Sequence, residues 1–260
     1  MKNATLRSLS HRLVGWVFVL LLMGLWEVAG RRDETGLFPP LSAVLVEAAD
    51  LLRSEALTND ILPSLCRALA GFVVGSVMAV ALGVVLGWWR ALHPWITAPL
   101  EFLRSVPAAA LVPLAVALYG STTPMKVGVI ALGAFWPVLL NTVDGIRRAE
   151  PGFVESARVY TSGSSLSILR RVVLPAATPQ IMTGLRIGLA ISLILMVVSE
   201  MFGATSGLGY LILQAQRLYA LTSMYAGVVI LAVIGLMLTG LFSAVEKRAM
   251  FWFDGMKGRT

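Results

Sequence analysis

One polar stretch set between long apolar runs constrains this chain more than any other feature. It extends from Glu155 to Pro175 (ESARVYTSGSSLSILRRVVLP) and carries Arg158, Arg170 and Arg171, with Arg147 and Arg148 just before it. The runs around it are of another kind: Ala68 to Trp88 and Met224 to Val245 hold no charged residue. A lipid core cannot hold the polar stretch without stranding charged and unpaired groups, so it belongs in water while its flanks belong in lipid. Composition agrees. Of 260 residues, 57% are hydrophobic and 13% charged, where a soluble domain carries about 25% charge. The fold class is therefore an all-α polytopic membrane protein.

Six apolar segments are legible. A basic tail, residues 1–12, precedes a first transmembrane helix over 13–30; Glu27 and the later spans favour a retained helix over a cleaved signal peptide. Residues 31–61 form a polar outer segment. In it, Leu41, Val44, Leu45, Ala48 and Leu52 fall on one face of an amphipathic helix that begins after Pro39-Pro40. Residues 62–246 hold five more spans. The second is Ala68 to Trp88, with Gly71/Gly75 and Gly83/Gly87 at the spacing that lets helices approach closely. The third runs from Pro94 to Tyr119, with Pro107 and Pro113 as bends, and the fourth from Val127 to Val143, with Pro137 and Asn141. The fifth is Ile181 to Val198, with Gly184/Gly188, and the sixth Met224 to Val245. Glu200 to Ser223 reads as an outer loop rich in glycine, and 247–260 as a second basic tail.

Charge sets the orientation. Lys2, Arg7, Arg12, Arg90, the arginines of 147–175 and the basic residues of 247–260 fall on one side. Only Arg31, Arg32, Arg53, Lys126 and Arg217 fall on the other. Basic residues collect on the cytoplasmic side, which places both termini and the 147–175 loop there. The same topology accounts for the net charge of +7 without nucleic acid. The single Cys66 excludes a disulfide framework and a cysteine metal site, and His11 and His93 stand apart as interfacial or packing residues.

Within the loop the residues read as helix, break, helix. Pro151 suits a first helical position, and Glu155 and Arg158 are spaced to pair on one face. Gly163 suits a left-handed helix end, Ser164 or Ser165 a new cap, and the second piece, Leu166 to Leu174, is expected to stop at Pro175.

This loop resembles the EAA motif of ABC-importer permeases. Glu155, Ser156 and Ala157 match its opening, Gly163 its glycine, and Val172, Leu174 and Pro175 its close. Ser156 stands where alanine is usual, and the spacing from Glu155 to Pro175 is one residue longer than the pattern. Three further stretches resemble the sulfonate/nitrate/taurine branch: PLEFLRSVPAAALVPLAVALYG (Pro99 to Gly120), ALGAFWPVLLNTVDGIR (Ala131 to Arg147) and SEMFGATSGLGYLI (Ser199 to Ile212). The resemblance implies a type I importer permease in a bacterial inner membrane. It implies two copies forming the pathway, two ATPase subunits that carry the ATP and Mg below, and a periplasmic or lipid-anchored solute-binding protein outside. It also implies a small anionic solute of the aliphatic sulfonate, taurine or nitrate type. Glu155, Ser156, Ala157, Gly163, Leu174 and Pro175 would then couple the permease to the ATPase.

The residues themselves supply no enzyme chemistry. No G-x-x-x-x-G-K-[ST] phosphate loop, catalytic triad, metal cluster or paired-carboxylate site occurs, so the chain is read as a transport subunit without its own cofactor. An ion-driven secondary carrier is the rival reading and a structural membrane scaffold a third. For the pathway, Arg104, Asn141 and Glu200 are the candidates. Each has a second reading: Arg104 as a structural partner of Glu101, Asn141 as an inter-helix hydrogen bond, and Glu200 as an interfacial carboxylate.

Overall fold

The computed structural model describes residues 2–89, 93–149, 152, 155 and 164–250. Among these, the regular elements are helices. They are α1 (Lys2–Arg32), α2 (Leu41–Arg53), α3 (Leu62–Trp88), α4 (His93–Ser105), α5 (Val112–Tyr119), α6 (Thr123–Arg147), α7 (Ser165–Ile168), α8 (Leu174–Met201), α9 (Leu208–Arg217) and α10 (Leu221–Ala249). Among the described residues, four helical stretches are long and apolar enough to cross a bilayer: Leu57–Trp88, Thr123–Arg147, Ser165–Met201 and Leu221–Ala249. The 31-residue α1 and the segment from His93 to Tyr119 account for the other two apolar segments of the sequence.

The third predicted span is not one helix, which corrects the sequence reading. Helix α4 has 13 residues and stops at Ser105, too few for the roughly 20 that a crossing needs. Pro107 adopts an extended conformation, φ −64° and ψ 120°, and a 3₁₀ turn, Ala108–Leu111, leads into the eight-residue α5. The cause is local: Pro107 has no N–H to donate and pushes Val106 out of the helical region.

Two compact units make up the chain, residues 1–58 with 211–232 and residues 59–210 with 233–260. In the first, α1 and α2 are joined by contacts that the sequence hides. Helix α2 begins after Pro40, which offers no side-chain cap. Glu27 on α1 does that work instead, accepting from the Ser42 N–H and Oγ at 2.8 Å each and matching a carboxylate to a helix N-terminus. Trp26 Nε1 donates to the Pro39 carbonyl at 3.1 Å, and the rings of Trp26, Phe38 and Tyr225 meet within 6.0 Å of one another. Ser223 Oγ donates to Glu47 on α2 at 2.7 Å. The buried face of α2 is narrower than its pattern predicts: Leu41, Val44 and Ala48 are buried, while Leu45 and Leu52 are exposed. In the connecting loop, the Thr35 hydroxyl and the Phe38 N–H hold the Asp33 carboxyl below the usual carboxylate range.

The second unit is built around α6, which lies between α3 and α8. Glycines make this possible. A Cβ on Gly71, Gly83 or Gly87 of α3 would sit 2.6–2.7 Å from Ile130, Thr142 or Ile146 of α6, and one on Gly75 would overlap the Ala131 carbonyl. From the other side, a Cβ on Gly184 would sit 2.7 Å from Asn141 and one on Gly188 3.0 Å from Val138. On α6 itself, a Cβ on Gly145 would sit 3.0 Å from the Ala177 carbonyl of α8. Water-driven burial is absent between helices in lipid, so this close approach and the dispersion contacts it permits hold the three together. Ala79, Leu86, Val138, Leu139 and Val143 form the shared core.

At the ends the helices exceed their predicted limits; α8 starts at Leu174 rather than Ile181 and α6 runs from Thr123 to Arg147. The expected stop at Pro175 is also corrected. Pro175 sits in the first turn of α8, where a missing N–H costs nothing. A π-helical turn, Leu169–Val173, leads from α7 straight into it. A third correction concerns the outer loop, which contains the helix α9.

Replacing Gly75 with Leu should cost about 1–3 kcal/mol or more, because the colliding atoms are backbone. The midpoint of thermal unfolding in detergent should fall clearly. Gly240→Leu on α10, where nothing lies within 4 Å, should leave it within about 0.5 kcal/mol of the parent. Equal midpoints for the two variants would contradict the glycine contacts.

Candidate functional site: a cavity along α6 with an anchored loop at one end and a buried ion cluster at the other

Pro137 interrupts the hydrogen-bond ladder of α6, since it cannot donate to the Gly133 carbonyl four residues back. Around that break, Gly133, Trp136, Pro137, Leu140, Asn141 and Asp144 recur on one helical face and line a cavity of about 580 Å³. Glu101 and the non-helical Val106-Pro107-Ala108 form another part of its wall, and Ile191 of α8 a third. Irregular backbone at membrane depth is tolerated where it lines a cavity, and the break at Pro107 fits that rule. Asn141 is held firmly: its Nδ2 donates to the Pro137 carbonyl at 2.7 Å, and its Oδ1 accepts from Gln180 Nε2 of α8 at 2.9 Å. The two readings of Asn141 thus coexist in one side chain, which bridges two helices and faces the cavity. Arg104 lies on α4, one turn after Glu101.

Glu200 is not among the residues lining this cavity. It is 1% exposed and lies in a cluster at the far end of α8. Arg67 Nη1 donates to it at 2.8 Å, the Gly209 N–H at 3.0 Å, and Ser64 Oγ lies 2.8 Å from both carboxylate oxygens. Ser64 in turn accepts from the Leu208 N–H at 2.8 Å, and Asp60 accepts from the Gly207 N–H at 2.8 Å. Lys126, read from sequence as a loop cation, is only 3% exposed and close enough to feel both Arg67 and Glu200. Gly207, at φ +128°, packs directly on the Glu200 carboxyl, where any side chain would collide. The cluster ties the 203–209 loop to the start of α3. Neither the interfacial nor the pathway reading anticipated it, because Arg67 and Glu200 are 133 residues apart.

At the opposite end the described part of the polar stretch, residues 164–175, is rooted in the core. Ile168, Val173 and Ala177 are buried with Ile146 of α6, and Trp88 of α3 and Leu174 pack around them. Pro175 is half-buried, while Arg170, Arg171, Ser164 and Glu155 are exposed. Ser164 occupies the cap position of α7 without a side-chain hydrogen bond. Ser156, Ala157 and Gly163 lie outside the described residues, as do Pro151 and Arg158. Asp144 and Trp136 on the cavity were missed. The signal was present in the i, i+3, i+4, i+7, i+8, i+11 spacing from Gly133 to Asp144.

A polytopic helical protein with a broken segment beside a midspan cavity, and a rooted polar loop at one end, defines the class of a membrane transport subunit. The chain belongs to the binding-protein-dependent transport system inner membrane component family, whose model matches residues 71–250. It is 33% identical over 251 residues to a putative aliphatic sulfonates transport permease of Bacillus subtilis, covering 94% of this chain and 90% of that one. It is 29% identical over 231 residues to a bicarbonate transport system permease of Synechococcus elongatus, covering 85% and 83%. Its fold matches a chain of the MetNI methionine ABC transporter solved in inward-facing conformations. The TM-score is 0.62 at 21% identity, over 75% of this chain and 96% of that one. The fold is therefore that of type I ABC importer permeases, and the chain is a membrane-spanning transport subunit, not an enzyme. Family membership sets the ion-driven carrier reading aside.

Removing one partner of the buried pair should cost about 3–5 kcal/mol by stranding the other. Arg67→Met should lower the unfolding midpoint and open the 203–209 loop to proteolysis. Glu200→Gln with Arg67→Met should cost less than the two single changes together, measured by thermal unfolding of all four proteins. Strict additivity would contradict the coupling.

Proposed function

We propose that two copies of this chain form the pathway of an ATP-driven importer for a small anionic solute of the aliphatic sulfonate, taurine or nitrate type. Both termini and the 147–175 loop lie in the cytoplasm, residues 31–61 on the outer side, and 62–246 form the transport core. Two ATPase subunits supply ATP and Mg, and a periplasmic or lipid-anchored binding protein delivers the solute. The observation that carries the reading is the rooted loop. Its exposed residues Glu155, Arg170 and Arg171 are available to a partner, while Ile168 and Val173 are buried against the end of α6. Force applied outside is thereby delivered to the helix that lines the cavity.

In this scheme Glu155, Ser156, Ala157 and Gly163 contact the ATPase, and Leu174 and Pro175 join the loop to α8 without a flexible break. Closure of the ATPase pair pulls on both loops and rocks the core from inward-facing to outward-facing. The binding protein then releases its solute into the cavity, and hydrolysis resets the pair. Asn141 and Arg104 belong to the pathway in this proposal. Glu200 acts at the outer gate by latching the 203–209 loop rather than by touching solute. The anionic solute draws its support from the sulfonate and bicarbonate permeases that the chain resembles.

Glu155→Lys should reduce ATP-driven uptake at least tenfold in vesicles that hold the whole complex, while the permease remains folded and inserted. Undiminished uptake together with unchanged co-purification of the ATPase would count against the docking role. Ser164→Cys, in a Cys66→Ala background, should react with a membrane-impermeant maleimide only in inside-out vesicles.

A further inference from the structure

We infer that the buried Lys126 ammonium holds a small monovalent inorganic anion of the halide class at the N-terminal end of α6, and that this anion stabilises the fold around the Arg67–Glu200 pair. The inference starts from a cation without a counter-charge. Lys126 is 3% exposed. Its backbone N–H donates to the Thr122 carbonyl at 3.1 Å. Its side chain makes no hydrogen bond or ion pair among the described residues, and Arg67 and Glu200 act on it only through space. A buried charge is costly until a group of opposite sign meets it. Glu200 is already engaged: Arg67 Nη1 and the Gly209 N–H donate to it at 2.8 and 3.0 Å, and Ser64 Oγ lies 2.8 Å from both of its oxygens. Asp60, the other carboxylate of the cluster, accepts from the Gly207 N–H at 2.8 Å and is not among the groups that act on Lys126. Arg67 is itself a cation, so Lys126 is left with its charge uncompensated.

The surroundings add to the positive potential. Lys126 lies in the opening turns of the 25-residue α6, whose N-terminal dipole is positive. Side chains on a helix lean toward its N-terminus, so the ammonium is directed to that end. Its helix neighbours Met125 and Val129 are buried with Val112, and Val198 packs against them. Water is largely excluded there, which strengthens any charge interaction. A second group also lacks a partner. Ser121, one residue before the Thr122 cap, has a buried Oγ that makes no hydrogen bond among the described residues. It borders the 203–209 loop, since a Cβ on Gly203 would stand 3.8 Å from that of Ser121. A hydroxyl can donate to an anion, as an ammonium does. One uncompensated charge calls for a monovalent ion. The near-complete enclosure of Lys126 favours a compact one over an anion with a carbon chain.

The test compares thermal unfolding of the full chain in detergent with sodium chloride and with sodium gluconate, each at about 150 mM so that screening is equal. Gluconate is too large for the enclosed position. The midpoint of the parent should be about 3 °C higher in chloride, the shift expected when the anion is present at roughly ten times its dissociation constant. Lys126→Met should lose that difference. Equal midpoints of the parent in the two salts would overturn the inference, and so would a chloride shift that survives in Lys126→Met. A second measurement needs no variant: crystals of the parent grown in bromide should show an anomalous scattering peak beside the Lys126 ammonium. Crystals with no such peak at Lys126 would overturn the inference as well. Neither experiment involves the ATPase or uptake, so the importer reading stands or falls separately.

Discussion

The structure depends on the near-contact of three helix backbones. In lipid, apolar side chains gain nothing by leaving one oily surface for another, so helices adhere through shape and through short-range attraction. Helix α6 fits between α3 and α8 because glycine occupies the crossing points on both sides: Gly71, Gly75, Gly83 and Gly87 on one, Gly184 and Gly188 on the other. A methyl group would collide with backbone at Gly75 and with a side chain 2.6–2.7 Å away at Gly71, Gly83, Gly87 and Gly184, whereas at Gly188 the nearest atom would stand 3.0 Å off. The result is a three-helix block in which small motions of one helix relative to another are sterically costly.

That block links two polar ends. At one, apolar residues of the Glu155–Pro175 stretch are packed on Ile146, and the π turn and Pro175 carry the chain into α8 without a gap. At the other, a buried Arg67–Glu200 pair, with Ser64, Asp60 and Lys126 around it, fixes the loop that follows α8. Buried charges of this kind are costly to form and costlier to break singly. Freeing that loop by removing one charged partner alone is therefore expected to be costly. Between the ends lies the cavity, lined where Pro107 and Pro137 break regular hydrogen bonding.

Much of this was legible in the sequence, and the failures have physical causes. Charge-free runs give spans because hydrocarbon excludes charge, and the glycine pairs mark the crossing points correctly. Pro107 was visible, but whether a proline bends or ends a helix depends on what accepts the freed backbone, here a cavity wall. Pro175 was taken for a stop because its effect depends on the preceding turn, and a π turn leaves no trace in residue spacing. Helix α9 was hidden by Gly207 just before it and Gly209 in its first turn, whose role is close packing on Glu200 and Val197 rather than looseness. The Arg67–Glu200 pair lay beyond reach because no periodicity joins residues on separate helices. Asp144 and Trp136 were readable as one face of a helix, yet only the cavity distinguishes that face from one turned to lipid.

The rigidity of the three-helix block is the claim most open to direct measurement. A Cβ built on Gly188 would stand 3.7 Å from that of Ala134, within the range of an unstrained disulfide. With Cys66 replaced by serine, Ala134→Cys and Gly188→Cys should cross-link α6 to α8 on oxidation. ATP-driven uptake by the oxidised complex should stay within about twofold of the reduced one, because the joined helices move together. Uptake that stops on oxidation and returns on reduction would show that α6 and α8 slide past each other, and the account would be wrong.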